Sequence, residues 1–261
     1  MKGIIGAIGG DIVGSTREFN PIKTKDFKLF KHNSTFTDDT VMTLAVANWL
    51  IKDMNSQELL VRQLQYWGNI YPDIGYGRSF KNWLGESNPK PYGSWANGSA
   101  MRVSPCSWAA DSLVESQKLA KISAVVTHNH PEGLKGALAT SDAIYLARNG
   151  AGKDKIKNHV EANYSYDLSR SVDEIRPDYS FDVSCAGSVP EAIICFLEGD
   201  SFEDTIRNAV SLGGDADTQA AIAGSIASAY WDVSKEIAYN SINRLNFDLL
   251  NVFIDFEEKF M

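Results

Sequence analysis

Cysteine is scarce in this chain: three residues in 261, at positions 106, 185 and 195, none spaced as C-x-x-C. That excludes a disulfide framework and a cysteine-based zinc site. It leaves reduced thiols serving as small buried hydrophobes, the usage expected of a cytoplasmic protein. Long apolar runs are also missing. The opening Met1-Lys2-Gly3-Ile4-Ile5-Gly6-Ala7-Ile8 resembles a weak secretion signal, but Asp11 interrupts it and no small-residue cleavage site follows. No stretch reaches the length of a membrane span, so a membrane partner is not expected. Positive charge is in short supply, with 25 Lys and Arg against 33 Asp and Glu and a net charge of −8. A broad grip on a nucleic-acid backbone is therefore not expected. A small nucleotide stays compatible, because bound cations reverse the field locally. Period-two alternation is rare, and Tyr179 to Val183 is the best short strand candidate.

What the chain has in abundance is helical periodicity. Val41, Met42, Leu44, Ala45, Val46, Trp49 and Leu50 form one broad apolar stripe. Ser56 reads as the N-cap of a run through Leu60, Leu64 and Trp67. Pro131 stands at the first position of another helix, which Gly150 closes. Val189-Pro190 to Gly199 repeats that punctuation, and Leu113–Val126, Phe202–Leu212 and Val233–Phe260 complete the helical set. The stretch from Asp217 to Trp231 is rich in Ala and Gly, which lets neighbouring helices come close, so it is expected at the centre. These patterns predict an all-α protein, a single domain over 1–261 with ten or more helices. Two less regular segments, Tyr71–Pro105 and Asn163–Ser188, are where loops able to carry function are expected.

Two acidic clusters stand out. Thr37-Asp38-Asp39-Thr40 opens one helical run, and Asp215-Ala216-Asp217-Thr218, after Gly213-Gly214, opens another. Thr and Asp are preferred N-caps, and acids suit a first helical turn, but each cluster holds more carboxylates than a cap needs. Brought together, four carboxylates require protons or divalent cations between them, and an all-oxygen set favours Mg²⁺, Mn²⁺ or Ca²⁺ over zinc. The string Asp-x-Asp-Thr also matches the nucleophile motif of haloacid-dehalogenase phosphatases. That motif needs a preceding buried strand, whereas Thr205–Leu212 reads as helix. Glu18, after the Gly-rich Gly10–Ser15, is either a solvated acid or an acid–base group at a site mouth. The loop Tyr92–Arg102 contains Ser94, Trp95, Asn97, Gly98 and Ser99, a composition that lets backbone N–H groups converge on an anion while Trp95 stacks on a base. Arg102 either meets a phosphate or buttresses that loop. His128-Asn129-His130-Pro131 reads as a helix junction, with substrate hydrogen bonding as the functional alternative.

Taken together, Gly-Asp-Ile-Val-Gly-Ser with Glu18, Phe36-Thr37-Asp38-Asp39-Thr40, Gly-Ser-Trp-Ala-Asn-Gly-Ser-Ala-Met-Arg, Thr127-His128 and Gly-Gly-Asp-Ala-Asp-Thr-Gln resemble the ADP-ribosylglycohydrolase family, the group that includes dinitrogenase reductase-activating glycohydrolase. The motifs follow the family's order across residues 6 to 219. The resemblance implies a multi-helix orthogonal bundle with two Mg²⁺ ions (Mn²⁺ possible) in a cleft. It implies ligation by Thr37, Asp38 and Asp39 from one side and Asp215, Asp217 and Thr218 from the other. Glu18, Asp38 and Asp215 are the implied catalytic carboxylates. Ser94, Trp95, Asn97, Gly98, Ser99 and His128 are the implied contacts to ADP-ribose. The implied reaction is hydrolysis of the bond between the distal ribose and a modified acceptor on a protein or small molecule. A cation-dependent hydrolase of a free ADP-ribose derivative or nucleotide, and a non-catalytic ADP-ribose-binding protein, are the alternatives.

Overall fold

Small residues set the centre of the molecule. The computed structural model describes residues 1–261, and its first helix, α1 (Ile5–Gly14), is buried along its whole length. It runs antiparallel against α13 (Ala216–Tyr230), of which all but Tyr230 is buried. Gly6, Gly10 and Gly14 follow one helical turn apart; Gly10 and Gly14 meet the backbones of Ala220 and Ala216 directly, and Gly6 meets Gly224 O and the Ser228 side chain. A β-carbon on Gly10 would lie 2.0 Å from Ala220 O, and one on Gly14 2.4 Å from Ala216 O. This register brings the C-terminal end of α1 beside the N-terminal end of α13, which is where the second acidic cluster begins.

The other helices wrap this pair: α2 (Asp38–Asp53), α3 (Gln57–Ile70), α4 (Arg78–Leu84), α5 (Gly98–Met101), α6 (Ser104–Ala109), α7 (Leu113–Val125), α8 (Pro131–Arg148), α9 (Lys153–Tyr164), α10 (Val172–Ile175), α11 (Cys185–Glu198), α12 (Phe202–Ser211), α14 (Lys235–Ile242) and α15 (Phe247–Phe260). Their starts are written in short polar side chains. Thr37, Ser56, Ser112, Ser171, Ser184, Ser201 and Ser234 each accept a backbone N–H of the following first turn. The buried apolar side chains join into one continuous cluster that includes all three cysteines. No helix is long and apolar enough to cross a membrane.

Three local expectations are corrected. Tyr179–Val183 is not a strand: the sole pairing nearby is an isolated antiparallel bridge between Ala96 and Ser184. Its alternation buries no face, since Phe181 and Val183 are 49% and 40% exposed. Helix α11 begins at Cys185 under a Ser184 cap, so Pro190 lies inside the helix and not at its start. Proline there forfeits one intrahelical bond, which the buried packing of its neighbours outweighs. The run Val233–Phe260 is two helices, because Asn243 ends the first and Arg244 turns away to hold the carbonyls of Lys31 and Ser34. The segment before Gly213-Gly214 is the helix α12, as the argument against a phosphatase motif required.

Candidate active site

The N-termini of α2 and α13 and the turn after α1 converge on one cleft of about 530 Å³. Five carboxylates line it: Glu18, Asp38, Asp39, Asp215 and Asp217, with Thr218 among them. Ligand-capable oxygens of Glu18, Asp215 and Asp217 lie within 4.8 Å of one another. Thr218 Oγ1 donates to Asp39 Oδ2 at 3.2 Å, tying the two acidic clusters together. Asp38 reaches the cleft beside Gly75, whose left-handed backbone (φ +118°) leaves 2.8 Å from a notional β-carbon to Asp38 Oδ1. Glu18 thus stands in the cluster itself and not only at the mouth. Thr37 is the exception in the expected set. It does not line the cleft, and its hydroxyl donates to Asp11 Oδ1 at 2.8 Å.

Asp11 is the residue that motif reading left without a role. Fully buried on α1, it accepts from Thr37 N at 3.0 Å, Thr40 N at 3.1 Å and both threonine hydroxyls, which holds the first turn of α2 against the end of α1. The signal that could have exposed it is its isolation: it is the only charged residue in Ile5–Gly14.

The opposite wall is the Gly93–Arg102 loop. Ser94, Trp95, Asn97 and Gly98 line the cleft together with His128. Asn97 Nδ2 donates to Asp215 Oδ2 at 2.8 Å, so this amide also orients a carboxylate. Ser99 is turned away from the cleft: fully buried, it donates to Gly133 O at 2.7 Å. Arg102 buttresses the loop and is buried, donating to Ser123 O and Thr127 Oγ1. Trp95 is half exposed at the rim, where Phe19 and Phe181 stack with ring centroids 6.5 Å apart.

Five acids face two guanidiniums, Arg78 and the already engaged Arg102. Burial first, then mutual repulsion, raises the acids above the ordinary carboxylate range. Burial lifts Asp11 to about 6 against the hydrogen bonds from Thr37 and Thr40, and burial with the charge of Asp215 lifts Glu18 to about 7. Asp38, Asp39 and Asp217 are pushed well up for the same reasons. Asp215 is raised by burial and held back by hydrogen bonds, Asn97 among them. Asp39 Oδ1 is buried with no hydrogen-bond partner. Oxygen donors on converging elements, one of them orphaned, fit divalent cations such as Mg²⁺ or Mn²⁺.

A pH dependence follows. The folded state keeps protons that the unfolded chain, titrating near 3.8 for Asp and 4.5 for Glu, has already released. The resulting stabilisation is complete below those values and lost as pH rises through about 6 to 7. The melting temperature in EDTA is therefore expected to be lower at pH 8 than at pH 5, and Mg²⁺ is expected to restore more at pH 8. A calorimetric Tm in EDTA that rises between those two pH values would contradict the cluster's electrostatics.

The chain as a whole is similar to known proteins. A family model described as ADP-ribosylglycohydrolase matches residues 1–257. The chain is 29% identical to the ADP-ribosylhydrolase ARH3 of Mus musculus over an alignment covering 77% of this chain and 70% of that protein. It is 26% identical to the ADP-ribosylarginine hydrolase Tri1 of Pseudomonas putida, covering 88% of this chain and 70% of that one. A solved structure titled as an ADP-ribosylglycohydrolase-related protein complex superposes with a TM-score of 0.75 at 22% identity, over 99% of this chain and 96% of that one, which carries the fold.

Proposed function

The chain belongs to the ADP-ribosylglycohydrolase family, and from that premise we propose that it hydrolyses the glycosidic bond between the distal ribose of ADP-ribose and a modified acceptor, with divalent cations in its acidic cleft. The observation that carries this reading is the convergence of Glu18, Asp38, Asp39, Asp215 and Asp217 on one cavity of about 530 Å³, within the range that takes a nucleotide-sized ligand.

The residues that would hold the cations are Asp38, Asp39, Asp215, Asp217 and Thr218, with Glu18 in reach of the same ions and Thr37 acting through Asp11. When bound, the ions supply positive charge that orients the ribose hydroxyls and polarises an attacking water. Ser94, Asn97, Gly98 and His128 offer hydrogen bonds to the diphosphate and ribose, and Trp95 offers a stacking face at the rim. Such contacts keep the anomeric carbon against the acidic wall. There, negative charge favours the oxocarbenium character that develops as the acceptor leaves. Glu18 is half-buried, as is Asp38, and stands in the turn after α1 open to the cleft. That position suits it to give a proton to the departing atom or take one from water, a role typically worth about 10²–10⁴-fold.

The test is a panel of arginine-, serine-, acyl- and nucleobase-linked ADP-ribose substrates, each with Mg²⁺, with Mn²⁺ and with EDTA. ADP-ribose release from at least one linkage, abolished by chelation, is the expected result. Undiminished release after exhaustive chelation would remove the cations from the reaction. Calorimetric binding of ADP-ribose without release from any linkage would make the protein a binder.

A further inference from the structure

Where the Gly93–Arg102 loop meets the segment that ends α7, a guanidinium, a hydroxyl and an imidazole stand in line. Arg102, 1% exposed, donates from Nη2 to Ser123 O and to Thr127 Oγ1, each at 2.8 Å. Thr127 is fully buried, and its Oγ1 lies 2.7 Å from His128 Nδ1. The other edge of the ring faces the cleft at Gly98, where a β-carbon would stand 3.2 Å from His128 Nε2.

Counting protons settles the direction of this chain. A guanidinium has donors only, so Thr127 Oγ1 accepts from it, and the hydroxyl proton must go elsewhere. The remaining hydrogen-bond neighbour of that hydroxyl is His128 Nδ1. If Nδ1 carried the proton, Thr127 would accept twice and its own O–H would be buried without an acceptor, an arrangement that costs more than the one in which it donates. Burial, with the nearby Arg102 charge, also holds the ring far below the ordinary imidazole range and therefore neutral. A neutral ring that accepts at Nδ1 keeps its one proton on Nε2.

We infer that Arg102 and Thr127 are positioning residues that set His128 as a neutral Nε2–H donor aimed at an oxygen atom of the ligand. The identity of that ligand rests on the cleft being the ADP-ribose site; the ring's tautomer does not. Two roles are thereby closed to His128. With Nε2 protonated and Nδ1 occupied, it neither abstracts a proton from water nor ligates a metal. At this point of the wall the ligand meets a neutral donor, while the Nη2 of Arg102 is spent on Ser123 O and Thr127 Oγ1.

The experiment is long-range ¹H–¹⁵N correlation of the histidine rings in the uniformly labelled full chain near neutral pH, with His128→Gln identifying the signals. The expected spectrum shows a pyrrole-type Nε2 and a pyridine-type Nδ1 for His128. Thr127→Ser should keep that pattern, and Thr127→Val, which removes only the hydroxyl, should shift the ring toward the other tautomer. In parallel calorimetry, ADP-ribose affinity should fall by about two- to tenfold in Thr127→Val and recover in Thr127→Ser, the scale of one neutral hydrogen bond. A pyrrole-type Nδ1 in the unaltered protein overturns the inference, and so does a Thr127→Val spectrum with the Nε2–H tautomer undisturbed. If Thr127→Val does not fold, the unaltered and Thr127→Ser spectra decide. Failure of the unaltered protein to bind ADP-ribose would remove the ligand assignment, while the ring spectrum still decides the relay.

Discussion

Asp217→Asn is expected to lower kcat/KM for ADP-ribose release by about 10²–10⁴-fold while raising the melting temperature of the cation-free protein. The two effects share one cause. Asp217 is buried among like charges, with Asp39, Asp215, Glu18 and Asp11 all pushing its carboxyl toward the protonated form. An amide of the same shape removes one charge from that repulsion and one oxygen donor from the cluster. Each kcal/mol regained corresponds to roughly 2–4 °C in a chain of this size. Scanning calorimetry in EDTA at pH 8, beside the activity assay, separates this from a structural lesion. A variant that loses stability together with turnover would mean that Asp217 holds the fold together and is not strained by it. The expected pairing is the usual price of a functional cluster, in which stability is given up for chemistry.

The second large effect lies away from the cleft. Gly10→Ala places a β-carbon 2.0 Å from the carbonyl of Ala220, an atom of a helix backbone that has no side-chain freedom with which to yield. Overpacking of this kind costs typically about 1–3 kcal/mol, and a backbone obstacle puts this site at the upper end, about 3 kcal/mol, so a fall in Tm of roughly 6–12 °C is expected. Gly85→Ala is the control. Its β-carbon would meet only Asn82 O at 3.5 Å, an ordinary contact, and the residue has a right-handed φ of −87°. Equal losses from both substitutions would show that the α1–α13 seam has no special demand for glycine. The seam also sets where the carboxylates sit, because Gly14 touches Ala216 and the Cα of Asp217. Separating the two helices therefore moves the cluster, and Gly10→Ala should weaken cation binding as well.

The helical character and most of the acidic site were legible in the sequence because both are written locally. A Ser or Thr before an apolar period announces a helix start, and Asp38-Asp39 and Asp215-x-Asp217 each hold more charge than a cap requires. What was not legible depends on how remote elements cross. Asp11 matters because α1 passes the first turn of α2, and nothing within ten residues of it says so beyond its being the one charge on an apolar helix. Ser99 sits in the same loop as Asn97, but it starts a helical turn whose inner side faces Gly133, so spacing alone could not assign it to the floor or the wall. Proline punctuation misled at Pro190, since a buried, well-capped helix tolerates the loss of a single bond. The roles that the family resemblance implies for the site residues can be tested one side chain at a time.

The pairing of α1 with α13 also has a consequence for how the polypeptide is made. The segment Ile5–Gly14 leaves the ribosome some two hundred residues ahead of its partner Ala216–Tyr230. At bacterial-to-eukaryotic synthesis rates that is a wait of roughly 10–40 s. During that interval a wholly apolar, glycine-rich stretch with a lone aspartate has no surface to settle on. That stretch must be kept from associating elsewhere until α13 has emerged, and only then can the acidic cleft close.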